Sequence, residues 1–348
     1  MTQEVSATLR NIDCFEAFAS MPDESVDAVI TDPPYFLDKL GNGWDVEGMK
    51  TTSKSATVTS LPVGMKFDPE QGRQFQEFME RVAVAAMRVL KPGGAFISFS
   101  APRLYHRLGV AVEDAGFEVR DMWAWLYTQN QVKAMSVARF LETDQLDGEQ
   151  LARIQAELEV WKTPQIKSCI EPIVFAQKPK RNSDGKAVTF AENWVSNRVG
   201  LLDTSAQVGD QMMPANVMTT GPINDALDRA FLVPKPSRFE RGGTTHLSVK
   251  PLSLMDQIIR LTVPVGGLVV DPFNGSGSTG LSAIRTGRSY EGFELDPKYF
   301  DQSKKRFTIA FAQEGLKWTR GKKLASATVS LTEVSASAHP DIKNGAEA

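Results

Sequence analysis

Two short stretches carry residue types and spacings that could do chemistry. The first is Asp32-Pro33-Pro34-Tyr35, which follows an apolar run, Asp27 to Ile30, that reads as a buried strand. Two successive prolines cannot donate backbone hydrogen bonds, so the strand must end in a stiff, polar lip. That lip holds a carboxylate, carbonyls freed from sheet pairing and an aromatic ring. It lies at the carboxyl end of a strand, where open α/β sheets bind their ligands. Acceptors beside a flat ring suit a planar ligand that bears an NH₂ group. A strand followed by Asp-Pro and a turn is also ordinary punctuation, so the tetrapeptide alone does not identify a site.

The second stretch is Asp271-Pro272-Phe273-Asn274-Gly275-Ser276-Gly277-Ser278-Thr279-Gly280, between a predicted strand and a predicted helix. Gly275 to Gly280 matches G-x-G-x-x-G, and Glu294 ends the next strand, where a ribose-binding acid belongs. A nucleotide-type cofactor is the natural reading. Asp271 would repel the pyrophosphate of a nicotinamide dinucleotide, but it would suit an ammonium group. A P-loop is excluded because no Gly-Lys-Ser/Thr follows the glycines. S-adenosylmethionine has adenosine at one end and an ammonium and a carboxylate at the other. On this reading Glu294 accepts hydrogen bonds from the ribose hydroxyls, the glycines let the backbone approach, and Asp271 faces the methionine moiety. A glycine turn used only for tight strand-to-helix packing is the alternative.

The elements that must position these stretches alternate. Ser6 to Asp13 reads as a short strand, followed by a helix from Cys14 to Ser20. A helix is predicted from Pro69 through Phe75, Met79, Val82 and Val89, closing at Lys91-Pro92-Gly93-Gly94, and the strand Ala95 to Phe99 comes next. The helix Leu104 to Ala115 and the strands Phe117 to Tyr127 and Ile170 to Ala176 follow. After Pro251 the order is helix, strand, helix, the strand Tyr290 to Glu294, and a last helix from Pro297. This alternation predicts an α/β fold with a mostly parallel sheet covered on both faces. Three regions interrupt it. Residues 38–66 read as a mobile loop beside the first site, 137–161 as an inserted helix, and 178–245 as an irregular subdomain with scattered aromatic and basic residues. The tail 319–348 is polar, rich in small residues and expected to be disordered.

With 348 residues and 42% hydrophobic composition the chain can bury a full core. It has no apolar run long enough to span a membrane and no basic-then-apolar leader, so a cytoplasmic protein without membrane contact is expected. Two cysteines and three histidines show no metal-ligand spacing, so no metal is expected and the zinc-dependent base deaminases are excluded. A net charge of −3 rules out a polycation that binds nucleic acid indiscriminately. Basic clusters, such as Lys304, Lys305 and Arg306, are compatible with phosphate contacts and equally with solvated helix faces.

The pair Asp32-Pro-Pro-Tyr35 and Asp271-Pro-Phe-Asn-Gly-Ser-Gly-Ser-Thr279 resembles the DNA amino-methyltransferases, which methylate adenine N6 or cytosine N4. The motif order resembles their beta group, with the catalytic tetrapeptide first and the cofactor loop last. Leu90-Lys-Pro-Gly-Gly94, Glu171-Pro-Ile-Val-Phe-Ala-Gln-Lys-Pro179, Pro214-Ala-Asn-Val217 and His246-Leu-Ser-Val-Lys-Pro251 extend the resemblance over residues 6 to 312. It implies a circularly permuted, Rossmann-like methyltransferase sheet cut open before its third strand, with catalytic residues Asp32, Pro33, Pro34 and Tyr35. Asp271, Pro272, Phe273, Gly275, Ser276, Gly277, Ser278, Thr279 and Glu294 would form the cofactor site. Asp13 would lie where the family contacts the cofactor's adenine, and Lys250 would lead into a helix at the methionine end. Residues 1–177 and 246–318 would then be the catalytic and cofactor-binding parts of one domain, and 178–245 a target-recognition region.

The resemblance also implies a reaction. The Asp32 carboxylate and the Pro33 carbonyl would accept the two N–H hydrogens of an exocyclic amine while Tyr35 stacks on the base. The substrate would be double-stranded DNA with one base flipped out. Asp32 favours adenine, because family members acting on cytosine N4 often carry Ser there, and cytosine N4 is the alternative. A catalytically silent DNA binder of the same fold is a different class, disfavoured because both sites are intact. A homodimer and a cognate restriction enzyme are the partners the resemblance allows. His246 is expected to be structural.

Overall fold

The structure is a computed structural model and describes residues 5–35, 69–127, 146–162, 168–206, 216–218, 235–237, 240–241, 243–246, 248–314 and 331–335. The 38–66 segment, with Asp38, Lys39 and Trp44, lies outside these residues. In chain order the elements are β1 (Ala7–Asn11), α1 (Cys14–Ser20), β2 (Val26–Thr31), α2 (Pro69–Val89), β3 (Leu90–Phe99), α3 (Tyr105–Asp114) and β4 (Glu118–Leu126). Then come α4 (Gly148–Val160), β5 (Ile170–Gln177), α5 (Phe190–Asn197) and β6 (Val217–Met218). The chain closes with α6 (Leu252–Thr262), β7 (Leu268–Asp271), α7 (Ser278–Arg285), β8 (Ser289–Glu294), α8 (Pro297–Glu314) and β9 (Leu331–Ser335).

All strands join one sheet in the order β6-β4-β5-β3-β2-β7-β8-β1-β9. The pairs are parallel except at β5, which runs antiparallel to both β3 and β4. Alternation along β2 divides the core. Ala28 and Ile30 face a layer built with Leu254, Ile258, Leu281 and Phe307 of α6, α7 and α8. Val29 faces the opposite layer, with Phe18, Phe75, Met79 and Leu108 of α1, α2 and α3. The re-threading expected from motif order is present: β2 lies beside β7, with Ala28 opposite Val269 and Val29 opposite Val270. The first strand of the chain, β1, docks against the late strand β8.

Three local expectations change, and one left open by the sequence, whether the inserted helix is a core helix or a dimer surface, narrows. Lys91 to Gly94 is not a turn but the start of β3, because Lys91 pairs with Asp27 at 2.8 Å and Lys178 bonds the backbone of Gly93 and Gly94. Gly93, at φ +80, makes the kink this requires. The described part of the inserted helix is α4, which starts at an Asp147–Gln150 capping box and buries none of its residues, so it is not a core helix. Residues 178–206 pack on the sheet rather than apart from it: Gln177 Nε2 donates to Gly200 O at 3.1 Å and Asp203 N to Leu261 O at 2.8 Å. The tail expected to be disordered contains β9, which pairs in parallel with β1 from Ala7 opposite Leu331 to Asn11 opposite Ser335. Among the described residues no helix is long and apolar enough to cross a membrane.

Gly280 is the tightest joint between α7 and its support. A Cβ at this position would fall 2.3 Å from Tyr290 Cε1 and 2.5 Å from Phe307 Cζ, and both rings are fully buried. Gly280→Ala should therefore lower the unfolding free energy by about 1–3 kcal/mol in urea titration, as overpacking does. An unchanged midpoint would show that α7 does not depend on this contact.

Candidate active site

Asp271, the last residue of β7, is 2% exposed and uses both carboxylate oxygens. Oδ1 accepts from Thr31 Oγ1 at 2.7 Å and from the Phe273 amide at 3.1 Å, and Oδ2 accepts from Thr279 Oγ1 at 2.8 Å. One side chain thus ties the end of β7 to the end of β2 and to the first turn of α7. From the sequence this acid is expected to face a ligand directly; in the structure its carboxylate clamps the loop. Gly275 and Gly277 take positive φ, +50 and +77, so the chain can turn sharply into the helix.

Glu294 ends β8 and binds back to the same loop. Its Oε2 accepts from the Gly275 amide at 2.8 Å and Oε1 from the Asp296 amide at 3.0 Å. Asp13 lies on the neighbouring strand end, where the Ile12 amide bonds Glu294 O at 3.1 Å, and its Oδ1 caps α1 through the Phe15 amide at 2.8 Å. Pro272 is buried, and Phe273 packs against Phe78 with ring centroids 5.7 Å apart. Ser276 and Ser278 are held from α8: the Arg306 guanidinium donates to Ser276 O at 2.8 Å and Ser278 Oγ at 3.0 Å. Its other arm donates to Glu240 O at 2.7 Å, while Glu240 Oε1 accepts from the Leu252 amide at the start of α6. Arg306 and Glu240 were not among the expected residues, since a basic residue in a polar helix looks like a solvated face.

The tetrapeptide sits at the adjoining strand end. Asp32 Oδ2 accepts from Lys250 Nζ at 2.6 Å and from the Ser248 hydroxyl, and Oδ1 accepts from the Tyr35 hydroxyl at 2.6 Å. Lys250 Nζ also pairs with Glu171 Oε1 at 2.6 Å, over the faces of Phe99 and Trp125. The Tyr35 hydroxyl reaches that same Glu171 oxygen at 3.2 Å. Lys250 therefore stands with the tetrapeptide rather than only at the helix entrance. Glu171 belongs here because β5 is antiparallel, so its first residues, not its last, reach the carboxyl edge of the parallel strands. A lone acid opening an apolar strand was the available signal. His246, expected to be structural, accepts from the Ser248 amide at 3.3 Å and stands edge-on to Tyr299.

The electrostatics separate the two halves. Burial pushes the Asp271 carboxyl up to about 6 and Glu294 up to about 7, against the pull of their hydrogen bonds. Among the described residues neither acid makes an ion pair, so a cationic ligand would find two under-compensated carboxylates at the glycine loop. At the tetrapeptide, burial by itself would lower the Lys250 pKa, but Asp32 and Glu171 outweigh it and hold the ammonium above its ordinary value. Burial raises Glu171 and sends Tyr35 well above the usual phenol range. No cluster among the described residues could hold a metal ion.

Comparison with known proteins adds to this geometry. A family model described as DNA methylase, for the N6 and N4 amino-methyltransferases, matches residues 26–305. The type II methyltransferase M.HindIII of Haemophilus influenzae is 27% identical over 314 residues, covering 86% of this chain and 94% of that protein. Two solved structures share the fold. The PvuII DNA methyltransferase, cytosine-N4-specific, aligns with TM-score 0.52 and 17% identity over 88% of this chain and 87% of that one. TTHA0409 of Thermus thermophilus, complexed with S-adenosyl-L-methionine, aligns with TM-score 0.51 and 21% identity over 96% of this chain and all of that one, 100%.

The raised Asp271 pKa has a measurable sign. The folded state holds this proton between the ordinary 3.8 and about 6, so the group's stabilising contribution is complete below 3.8 and is lost as pH rises through 6. Relative to wild type, Asp271→Asn should gain up to about 1.4 kcal/mol of stability per pH unit across that window and level off above it. Urea midpoints of both proteins across the window measure this, and a constant difference would mean that Asp271 titrates normally.

Proposed function

We propose that this chain, which belongs to the N6/N4 DNA methylase family, transfers a methyl group from S-adenosylmethionine to the N6 amine of an adenine flipped out of double-stranded DNA. The observation that carries this reading is the adjacency of β2 and β7, locked by the Thr31 to Asp271 hydrogen bond at 2.7 Å. It sets the acceptor tetrapeptide and the glycine loop side by side at one sheet edge.

The residues fit the cofactor. Gly275 and Gly277 leave room for close backbone approach, and a Cβ on Gly275 would meet the His246 ring at 3.0 Å. Asp271 and Glu294 supply buried negative charge for a ligand that carries an ammonium and a sulfonium. Each oxygen of Glu294 already accepts one backbone N–H and keeps a second lone pair for a ribose hydroxyl. When bound, S-adenosylmethionine supplies an electrophilic methyl group on sulfur.

The protein's own part is to hold and polarise the amine. The lone pair of an exocyclic amine is delocalised into the base, so the nitrogen is a weak nucleophile. Asp32 and the Pro33 carbonyl accept its two N–H hydrogens and draw it toward tetrahedral geometry. Tyr35 offers its ring to the base. Holding two reactants in one pocket can supply about 7–11 kcal/mol of the barrier, which exceeds the few kcal/mol of unstacking that flipping costs. Residues 178–245 are assigned to target recognition, of which Trp194 and Arg241 are among the described residues and Phe231, Arg238 and Phe239 lie outside them. The likeness to a type II methyltransferase supports a cognate restriction enzyme as partner.

The test is incubation with radiolabelled S-adenosylmethionine and unmethylated DNA, followed by separation of the nucleosides. Label in N6-methyldeoxyadenosine is expected; label in N4-methyldeoxycytidine would overturn the adenine assignment, and no transfer would favour a silent DNA binder. Asp32→Ala should abolish transfer while leaving cofactor affinity within about threefold, a change of less than 1 kcal/mol. A matching loss of cofactor binding would contradict the division of roles.

A further inference from the structure

The Asp32 carboxylate is one of two acids that share Lys250. One ammonium against two carboxylates, Asp32 and Glu171, leaves the cluster with one net negative charge. The Tyr35 hydroxyl lies between the same acids, 2.6 Å from Asp32 Oδ1 and 3.2 Å from Glu171 Oε1. A hydroxyl donates one proton at a time, so this phenol can hand its proton to either acid while accepting one from the other. The arrangement has room for the one proton that amine methylation must dispose of.

Resting on the methyl-transfer reading above, we propose that Glu171 is the terminal proton acceptor of the reaction, receiving the amine's surplus proton from Asp32 through the Tyr35 hydroxyl. The amine lone pair forms the N–C bond as the C–S bond breaks and its electron pair remains on sulfur. The nitrogen then bears a positive charge and one hydrogen too many. Asp32 Oδ1 takes that proton and passes it to the Tyr35 oxygen as the Tyr35 hydroxyl proton moves to Glu171 Oε1. The phenol ends as it began, Asp32 is again a carboxylate paired with Lys250, and the cluster has gone from one negative charge to none.

The surroundings favour Glu171 as the resting place. Asp32 accepts from Lys250, the Ser248 hydroxyl and Tyr35, whereas Glu171 accepts from Lys250 and, at the longer 3.2 Å, from Tyr35. Burial raises Glu171, and burial keeps Tyr35 from ionising, so the phenol relays without becoming a phenolate. The other titratable groups facing the cluster are Tyr127 beyond β4, His246 and Asp271. Burial raises the Tyr127 phenol, the Lys235 ammonium stands over its ring, and His246 is pushed toward the neutral form by burial. Asp271 is committed to Thr31 and Thr279.

Single-turnover methyl transfer by the full chain as a function of pH, with cofactor affinity measured by calorimetry on the same preparations, tests the relay. Glu171→Gln should slow transfer on the order of 10²-fold and remove the acid limb of the wild-type profile, since the group whose protonation blocks the relay is gone. Cofactor affinity should stay unchanged. Tyr35→Phe keeps the ring and should slow transfer comparably, again with cofactor binding intact. A Glu171→Gln protein with wild-type rate and acid limb overturns the proposal, as does one whose cofactor binding falls in step with its rate. Wild-type protein that methylates no DNA at all would overturn the methyl-transfer reading and the relay with it.

Discussion

Lys250 places its ammonium 2.6 Å from each of two carboxylates, Asp32 and Glu171, that come from distant parts of the chain. Removing three charges from water is expensive, and it is tolerated only where each charge finds partners and the remaining hydrogen-bonding capacity is met. Here Ser248, the Tyr35 hydroxyl and the faces of Phe99 and Trp125 complete the set. The pairing fixes the end of β2, the start of β5 and the segment leading into α6 relative to one another. Without the ammonium, two like charges would face each other in a buried space, and the carboxylate that the amine must meet would have no fixed position.

The sheet supplies the rest of the geometry. Parallel strands bring their carboxyl ends to one edge, which places Asp271, Asp32 and Glu294 in one region although the chain visits them far apart. The antiparallel β5 adds Glu171 to that edge by its first residues. Asp271 then joins the halves, with one oxygen on Thr31 and the other on Thr279, so the glycine loop cannot shift without pulling on the strand that carries the tetrapeptide. The loop itself is braced from outside by Arg306, which also grips Glu240 and through it the start of α6. Cofactor loop, tetrapeptide and the Lys250 segment are in this way three parts of one hydrogen-bonded frame.

Much of this was legible in the sequence because its causes are local. The prolines after Thr31 end a strand whatever surrounds them, and the glycine spacing after Asp271 demands a tight strand-to-helix turn. The motif order implied the re-threaded sheet, and with it the adjacency of β2 and β7 that the pairing register bears out. What was not legible depends on long-range contacts. Lys91 to Gly94 has turn composition, yet Asp27 and Lys178 draw it into β3. The apolar residues of α4 have helical spacing, yet none of them is fully buried. Glu171 was visible as part of a motif, but its meeting with Lys250 and Tyr35 follows from strand direction, which no local pattern encodes. Arg306 looked like surface charge until the fold turned it inward.

The site stores unfavourable electrostatics in one half and balances them in the other. Among the described residues Asp271 and Glu294 make no ion pair, and burial raises both carboxyls; a positively charged ligand would relieve that cost. At the tetrapeptide the cation is built in, and the excess is a single negative charge. The charge state of Lys250 is therefore the quantity on which this description turns, and nuclear magnetic resonance titration of its ammonium in isotope-labelled protein reads it directly. A Lys250 that stays charged beyond the ordinary 10.5 is expected, since both carboxylates hold its proton; a Lys250 already neutral well below 10.5 would contradict the shared ion pair and the site built around it.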